Sequence, residues 1–269
     1  MDIPKISFPY PGPGTDVSLH NHSDWSDGAS TAEEMCRAAK AAKIKTFGLS
    51  DHWVVHPDQK LMPVRWSIAP GRLEAYFAEL AELKKRFCGD GFTLLAGLEV
   101  DFFFENAKEV LASLEKFRPD YLIGSVHYAG SFPIDNSARE WERLTEEEIS
   151  SVCREYWEKL LGAAECGAFS LLGHLDLPKK FCFVRDPETY LPAARRVLDA
   201  AAANGTAVEL NTAGWFKDCR EPYPSSPILR EACRRKVPVV IGADAHASSH
   251  VDRCFPEAQA LLREAGYPC

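Results

Sequence analysis

The sequence predicts an α/β protein, and a closed or nearly closed (β/α) barrel is the architecture that fits it best. Seven short apolar segments alternate with seven longer segments of helical period along the 269 residues. No linker, repeat or low-complexity block divides the chain, so we expect one domain over residues 1–269. An open, doubly wound sheet is the alternative arrangement of the same units.

The strand predictions rest on short runs that are almost continuously apolar, as expected for parallel strands buried on both faces. These runs cover residues 16–20, 45–50, 93–99, 121–126, 170–174, 206–210 and 238–242. Before them, residues 1–14 are rich in Pro and Gly and are expected to form an irregular lead-in.

Helices are predicted between and after these strands, at residues 31–42, 70–88, 106–116, 146–165, 187–203, 226–236 and 256–265. Two of them carry a start signal, because Ser30 with Glu33 and Thr145 with Glu148 both fit a capping box. Repeated strand-then-helix units require a parallel sheet with helical crossovers.

Composition narrows the classes of function. A net charge of −8 argues against general binding of nucleic acid or of anionic membranes, although bound metal ions could still attract an anionic substrate. The nine cysteines include no C-x-x-C pair and are expected to be reduced thiols, mostly small buried residues. The N-terminus does not resemble a signal peptide, and no apolar run is long enough to span a bilayer. We therefore expect a soluble cytoplasmic protein.

Histidine and acidic residues occur where the predicted strands end. Six of the eight histidines lie at these ends, and the other two, His56 and His250, follow in the adjoining loops. A single His-x-His or Asp-His pair would be weak evidence, because surface pairs and turn caps have the same spacing. Five such sites are hard to explain as independent accidents. In a barrel all these strand ends converge on one face, where active sites form.

The residue types at these ends predict a metal centre. Imidazole with carboxylate suits Zn, Mn or Fe better than Ca or Mg, and one catalytic zinc normally takes only about three protein ligands. The candidate ligands are therefore numerous enough for two or three divalent ions. They are His20, His22, Asp27, His52, Glu99, His127, His174, Asp244 and His246.

Such a cluster matches the hydrolysis of a phosphate ester. A pair of ions lowers the pKa of a bridging water and so supplies hydroxide, and it also neutralises charge on the phosphoryl oxygens. Motifs for a covalent nucleophile or a P-loop are absent from the sequence, which favours direct attack by water.

The motifs and their order resemble the PHP (polymerase and histidinol phosphatase) superfamily. The matching runs are HNHSDWSDG (20–28), SDH (50–52), GLEVDF (97–102), GSVH (124–127), GHLD (173–176) and ADAH (243–246). The resemblance implies a distorted (β/α)7 TIM-like barrel with a trinuclear metal site. It assigns the first ion to His20, His22, Glu99 and Asp244. It assigns the second to Glu99 as bridge with His127 and His174, and the third to Asp27, His52 and His246. Among these ligands, the predicted catalytic residues are Glu99, Asp244 and His246.

Within that superfamily the chain looks most like the histidinol-phosphate phosphatases. The runs GSVHY, PID (133–135), GHLDLPKKF (173–181), VELNTAG (208–214) and EPYPS (221–225) carry this likeness. It implies hydrolysis of L-histidinol phosphate to L-histidinol and phosphate in histidine biosynthesis. Two departures are Ala243, where Ser is common, and the bulky pair Trp215-Phe216, which could reshape the substrate pocket.

Substrate contacts are predicted from loop positions. Phosphate selection calls for cations near the metals, and the candidates are Lys179 or Lys180, and Lys217 or Arg220. Asn211 could bind substrate or hold its turn. The substrate's ammonium group, or the histidines, could be met by Asp101, Asp135 and Asp176. The alternatives are a PHP phosphatase for another small phosphomonoester or nucleotide, and a non-catalytic metal-binding scaffold.

Overall fold

The computed structural model describes residues 3–184 and 187–268. Its strands are β1 (Val17–Ser18), β2 (Thr46–Leu49), β3 (His52–Trp53), β4 (Thr93–Asp101), β5 (Tyr121–Ser125), β6 (Tyr128–Ala129), β7 (Phe132–Pro133), β8 (Leu171–Leu172), β9 (Ala207–Asn211) and β10 (Val239–Gly242). Its α-helices are α1 (Ala32–Ala41), α2 (Leu73–Phe87), α3 (Ala107–Leu114), α4 (Ala138–Trp141), α5 (Glu146–Glu165), α6 (Leu191–Asn204), α7 (Ser226–Arg234) and α8 (Phe255–Glu264).

Seven parallel strands form the barrel, in the order β1-β2-β4-β5-β8-β9-β10. Beyond the ends of β1 and β10, Asn21 and Ala245 form a parallel bridge, and the His22 amide donates to the Ala245 carbonyl at 2.9 Å. This bridge brings the first and last strands together and nearly closes the barrel. All seven predicted strands are present, so the predicted barrel is confirmed and the open sheet is wrong.

Two apolar layers hold the barrel. The larger lies between the sheet and the surrounding helices, and a smaller one fills the barrel interior around Leu19, Tyr121 and Leu171. The Tyr121 ring needs glycine beside it, because a Cβ on Gly48 would lie 2.1 Å from its hydroxyl. Such close packing leaves little freedom for the strand ends that carry the site.

The N-terminal lead-in closes the end of the barrel where the strands begin. Ile6 and Phe8 pack against the interior cluster, and the Ile6 amide donates to Ser170 Oγ at 3.0 Å. Further along, the Val239 amide donates to the Pro11 carbonyl at 3.0 Å. This end is plugged, so the cavity lies at the opposite end.

One capping prediction is confirmed and one is wrong by a single residue. Thr145 and Glu148 form the capping box of α5. At α1 the box consists of Thr31 and Glu34, because Thr31 has the extended backbone of an N-cap and accepts from the Glu34 amide. Ser30 instead accepts from the Ser248 amide at 3.1 Å.

The helix predicted over 187–203 begins later. Residues Pro187–Tyr190 form a 3-10 turn, and α6 starts at Leu191 with Pro192 in its first turn, where the missing N–H costs nothing.

The cysteine prediction holds only in part. The eight cysteines in the described ranges are all free, but only Cys36 and Cys153 are buried, while Cys88 is exposed. Along the same residues, no helix combines the length and the apolar character that crossing a bilayer would require. The cytoplasmic location and the single domain over 1–269 stay predictions.

Candidate metal centre

The barrel brings all nine predicted ligands together at the C-terminal ends of its strands. They fall into four overlapping groups whose ligand atoms lie within 4.8 Å of one another. The groups are His22, Asp27, His52 and His246; His20, Glu99 and His174; His20, His22 and Asp244; and His52, Glu99 and His127. Because these residues come from separate strands, only the closed sheet places them at one point.

Glu99, near the end of β4, lies at the centre of this cluster. Its Oε1 is 2.9 Å from His174 Nε2 and 3.6 Å from His127 Nε2. Its Oε2 is 2.8 Å from His52 Nδ1 and 3.2 Å from His20 Nε2. The two oxygens therefore face different histidines, which is the arrangement that a carboxylate bridging two ions needs.

The other two carboxylates lie on the side of His22. Asp244 Oδ1 is 3.2 Å from His22 Nε2, and Asp27 Oδ1 is 3.3 Å from His246 Nε2. His52 lies between the groups, because its Nε2 is 3.7 Å from Asp27 while its Nδ1 approaches Glu99. The predicted division of ligands among three ions is therefore least distinct at His52.

Two of these residues have left-handed backbone, with φ of 22° at His174 and 48° at Asp244. A non-glycine residue held there costs roughly 1–3 kcal/mol, and such strain collects at functional sites. Surrounding hydrogen bonds hold both residues. The His174 amide donates to Glu209 Oε2 at 3.0 Å, and Asn211 Nδ2 donates to Asp244 Oδ2 at 3.2 Å.

Two further carboxylates orient the histidines. Glu209 Oε1 lies 2.8 Å from His20 Nδ1, and Asp101 Oδ1 lies 2.6 Å from His127 Nδ1. Asp101 was predicted for this role or for substrate binding, whereas Glu209 was not singled out as a site residue. The available signal was its place within an apolar strand, because a buried carboxylate needs partners. Gly242 makes room for it, since a Cβ there would lie 1.8 Å from Glu209 Oε1.

From the sequence, Asp51 in its Asp-His pair could have been no more than a turn cap. In the structure it is buried and holds the loop that carries Asp27 in place. It accepts from the Ser23 amide and from the Ser23 hydroxyl at 2.8 Å each, and from the Ser26 hydroxyl at 2.6 Å. These bonds fix the turn after β1.

The carboxylates control the charge of the nearby histidines. Burial alone would lower the pKa of His20, but the charges of Glu209, Glu99 and Asp244 outweigh it and raise that pKa well above its ordinary value. Burial would likewise raise the pKa of Glu99, and the surrounding histidines, with His20 foremost, hold it well below instead.

The pKa values of two other histidines are shifted in opposite directions. Burial, aided by the charges of His52 and His246, lowers the pKa of His22 to about 3. Burial also opposes the charged form of His127, but the neighbouring carboxylates, Asp101 foremost, raise its pKa to about 10. Protonation is therefore unequally distributed over a compact, buried set of imidazoles.

The donor set fits divalent metal ions. Within the described residues, several buried ligand atoms have no hydrogen bond of acceptable geometry despite their close neighbours. They are His20 Nε2, both ring nitrogens of His22, His52 Nδ1, Glu99 Oε2 and His174 Nδ1. Buried polar atoms need partners, and imidazole nitrogen with carboxylate oxygen is the donor set of Zn, Mn and Fe.

A cavity of about 780 Å³ opens onto this cluster. Lys180 and Lys217 line it, as expected for phosphate-binding residues. Lys180 Nζ also donates to the Asp135 carbonyl at 2.6 Å and lies 3.2 Å from Asp135 Oδ2. Arg220 is exposed and is not among the described residues that line the cavity, so the structure gives it no contact with this site.

Three other candidates lie outside the cavity wall. Asn211 is fully buried and its Nδ2 donates to Glu209 Oε2 at 3.1 Å, so it holds the ligands in place. Lys179 Nζ donates to the Pro222 carbonyl at 2.7 Å and pairs with Asp176 Oδ2 at 2.9 Å. Asp176 also accepts from the Ser225 amide. These contacts are structural.

Arg253 is a cavity-lining cation that sequence reasoning missed. It follows β10 in the loop after His246, whereas the predicted cations follow β8 and β9. Its guanidinium lies 4.1 Å from the ring centroid of Phe216, which is 50% exposed. Of the bulky Trp215-Phe216 pair, Phe216 therefore packs against a cation that lines the cavity, whereas Ala243 is fully buried.

Comparison with known proteins places the chain in a family. The PHP domain family matches residues 18–213. A Deinococcus radiodurans protein named probable histidinol-phosphatase is 36% identical over 244 residues, covering 88% of each chain. The Bacillus subtilis histidinol-phosphatase is 28% identical over 208 residues, covering 70% of this chain and 76% of its own.

Solved structures agree on the fold. A Listeria monocytogenes protein superposes with a TM-score of 0.80 at 22% identity, covering 89% of this chain and 98% of its own. The Lactococcus lactis histidinol phosphate phosphatase, solved with zinc, L-histidinol and phosphate, superposes with a TM-score of 0.78 at 21% identity and 95% coverage of both chains. The predicted TIM-like fold and the predicted kind of enzyme, a phosphoric monoester hydrolase like the histidinol-phosphatases, are confirmed. The chain belongs to the PHP domain family.

Proposed function

We propose that this enzyme hydrolyses L-histidinol phosphate to L-histidinol and phosphate in histidine biosynthesis, using two or three divalent ions. The observation that carries the proposal is the nine-residue donor cluster at a cavity whose lining also includes Lys180, Lys217 and Arg253. Support for the substrate comes from the relatives named histidinol-phosphatase and from the Lactococcus lactis complex with L-histidinol and phosphate.

The proposed distribution of ligands is the one that the family resemblance implies, whereas the groups in the structure place His127 with His52 and His174 with His20. His20, His22, Glu99 and Asp244 would hold one ion; Glu99, His127 and His174 a second; and Asp27, His52 and His246 a third. Support for Glu99 as the shared ligand comes from its two oxygens, which face different histidines. Zn, Mn and Fe all suit these ligands, so metal supply decides which one is bound.

Divalent ions held there would activate a water molecule and neutralise charge on the phosphoryl group. The chain's own contribution is to hold Glu99, Asp244 and His246 in place and to bind the substrate's phosphate. Arg253 and Lys217 would donate to phosphate oxygens, with Arg253 able to make two parallel hydrogen bonds. Lys180 would act from the position in which Asp135 holds it.

The test is a comparison of kcat/KM for L-histidinol phosphate, 4-nitrophenyl phosphate and a nucleoside monophosphate, with one metal at a fixed concentration. We expect L-histidinol phosphate to exceed the others by at least about 100-fold, because each bound group of a true substrate adds transition-state stabilisation. Equal values for all three esters would overturn the substrate assignment while leaving a general phosphatase. If the metal-loaded protein hydrolysed none of the three esters, the alternative of a non-catalytic metal-binding scaffold would be favoured.

A further inference from the structure

One wall of the cavity is built by the segment between β5 and α5, which contributes Tyr128, Ser131, Pro133, Asp135, Asn136 and Glu140. We propose that Glu140 binds the substrate's ammonium group and thereby selects amino-alcohol phosphates over esters without a positive charge. This inference rests on the proposed function and assigns one of its specificity residues, which the sequence motifs did not indicate.

Elimination among the carboxylates leads to Glu140. Of the described residues lining the cavity, four carry a carboxylate: Asp27, Asp135, Glu140 and Asp244. Asp27 and Asp244 belong to the metal-binding groups. Asp135 Oδ2 is paired with Lys180 at 3.2 Å. The remaining carboxylate, Glu140, forms no ion pair with another of the described residues and is available for a cationic ligand.

The hydrogen bonding of Glu140 is incomplete. Its Oε1 accepts from Asn136 Nδ2 at 2.9 Å, whereas its Oε2 is shielded from solvent and has no hydrogen-bond partner among the described residues. A carboxylate with a single donor and no paired cation keeps an uncompensated charge, and a charged donor makes the stronger kind of hydrogen bond. An ammonium group in the cavity supplies the compensating charge.

Glu140 is held firmly from the protein side. Its neighbour Trp141 is fully buried, and Trp141 Nε1 donates to the Ile134 carbonyl at 2.9 Å. The adjoining β6–β7 hairpin is fastened by Lys159 Nζ, which donates to the Tyr128 carbonyl at 3.0 Å. Because the wall is fixed before substrate arrives, little of the binding free energy is lost in ordering it.

The same region offers two aromatic rings. Trp66 and Tyr128 both line the cavity, and their rings are nearly parallel, at 10° with centroids 6.2 Å apart. An unsaturated ring such as imidazole packs well against aromatic side chains. The chemistry thus selects a small phosphomonoester that carries both an ammonium group and an aromatic ring.

The experiment compares two esters in the metal-loaded enzyme: L-histidinol phosphate and 3-(imidazol-4-yl)propyl phosphate, which differs from it only in lacking the ammonium group. We expect Glu140→Gln to lower kcat/KM for L-histidinol phosphate by about 10- to 100-fold, mainly through KM, as for a lost substrate contact. The loss should be at least about ten times smaller for the other ester. Glu142→Gln is the matched control, because Glu142 is exposed, lies two residues away and undergoes the same change of charge.

The outcomes separate the two proposals. If the unmodified enzyme shows no preference for L-histidinol phosphate over 4-nitrophenyl phosphate and a nucleoside monophosphate, the proposed function fails, whatever the effect of substituting Glu140. If that preference is present and Glu140→Gln affects both esters equally, or neither, the role of Glu140 is overturned. Should Glu140→Gln lose its fold or metal, Glu140→Asp keeps the charge one methylene further back and must reproduce the ester-selective loss.

Discussion

Glu209 Oε1 lies 2.8 Å from His20 Nδ1, and both side chains are fully buried. Because an ionised carboxylate only accepts, the contact keeps a proton on Nδ1 and turns Nε2 of His20 toward Glu99 and Asp244, where this nitrogen could bind a metal ion once it has lost its own proton. The second oxygen of Glu209 accepts from the His174 amide at 3.0 Å. One carboxylate therefore orients two candidate ligands that follow different strands, β1 and β8.

We expect Glu209→Gln to weaken metal binding by about 10- to 100-fold, the usual cost of losing an outer partner of a ligand. Glutamine has one carbonyl oxygen, so its NH2 must face either the His20 Nδ1 proton or the His174 amide. In either orientation the glutamine NH2 faces another N–H donor, so one of the two hydrogen bonds is lost. Metal affinity, measured by titration against a competing chelator, is the readout.

Glu264→Gln, on the exposed part of α8, is the control for that substitution. A purely structural role for Glu209 would lower the melting temperature of the metal-free protein and leave metal affinity unchanged. That result would contradict the positioning role.

His127→Ala should remove catalytic activity while the protein remains folded and soluble. His127 Nε2 faces Glu99 Oε1 at 3.6 Å. Alanine loses the ring contact with Asp101 but keeps the backbone amide that donates to Asp101 Oδ1 at 3.2 Å, so the main loss is a metal ligand. Metal analysis should find about one ion fewer per chain, as expected when one of three ligands to an ion is lost. An active variant with unchanged metal content would refute the second metal site.

Much of the fold could be predicted because long buried strands and amphipathic helices have distinct periods. β4 and α5 are examples, with bounds within two residues of those expected. The two-residue strand β3, the hairpin β6–β7 and the four-residue helix α4 were not predicted. Segments this short have no measurable period, and their conformation comes from tertiary contacts such as the burial of Trp141.

The candidate ligands could be predicted because strand ends of a barrel converge, so position along the chain stands in for position in space. Side chains from inside a strand or from a late loop offer no such rule. Glu209 points into the site only because Gly242 leaves room, and Arg253 reaches the cavity from a loop that follows β10. Arg220 illustrates the converse. It follows β9 in the chain much as Arg253 follows β10, yet it lies exposed outside the cavity.

Arg253→Met should raise KM for the phosphate ester by about tenfold or more, because a charged hydrogen bond to phosphate contributes roughly 1.5–3 kcal/mol. Methionine keeps much of the length and apolar contact with Phe216 but removes the charge. Steady-state kinetics on L-histidinol phosphate provides the measurement. Arg220→Met is the matched control and should leave KM within about twofold. Equal effects of the two substitutions would remove Arg253 from the phosphate site.

Removing metal should abolish activity and lower the melting temperature, because divalent ions bind the folded cluster and not the unfolded chain. Dialysis against a chelator, then addition of Zn, Mn or Fe singly, tests which ion restores hydrolysis. Protein purified without chelator should contain two or three ions per chain by metal analysis. Fewer than two ions in an active preparation would contradict the cluster.

Metal binding should release protons at pH 8. In the metal-free protein, the carboxylates around the site raise the pKa of His127 to about 10, against the effect of burial. For His246, burial is likewise opposed by Asp27 and Asp244, which raise its pKa to about 9. Both imidazoles are therefore protonated at pH 8 without metal, and a metal ion binds only the neutral ring. Affinity should fall steadily as pH is lowered from about 10, since protons then compete more strongly.

Calorimetric titration in buffers of different ionisation enthalpy counts the protons. A heat of binding that is the same in every buffer would show that none is released, and the imidazoles would then already be neutral.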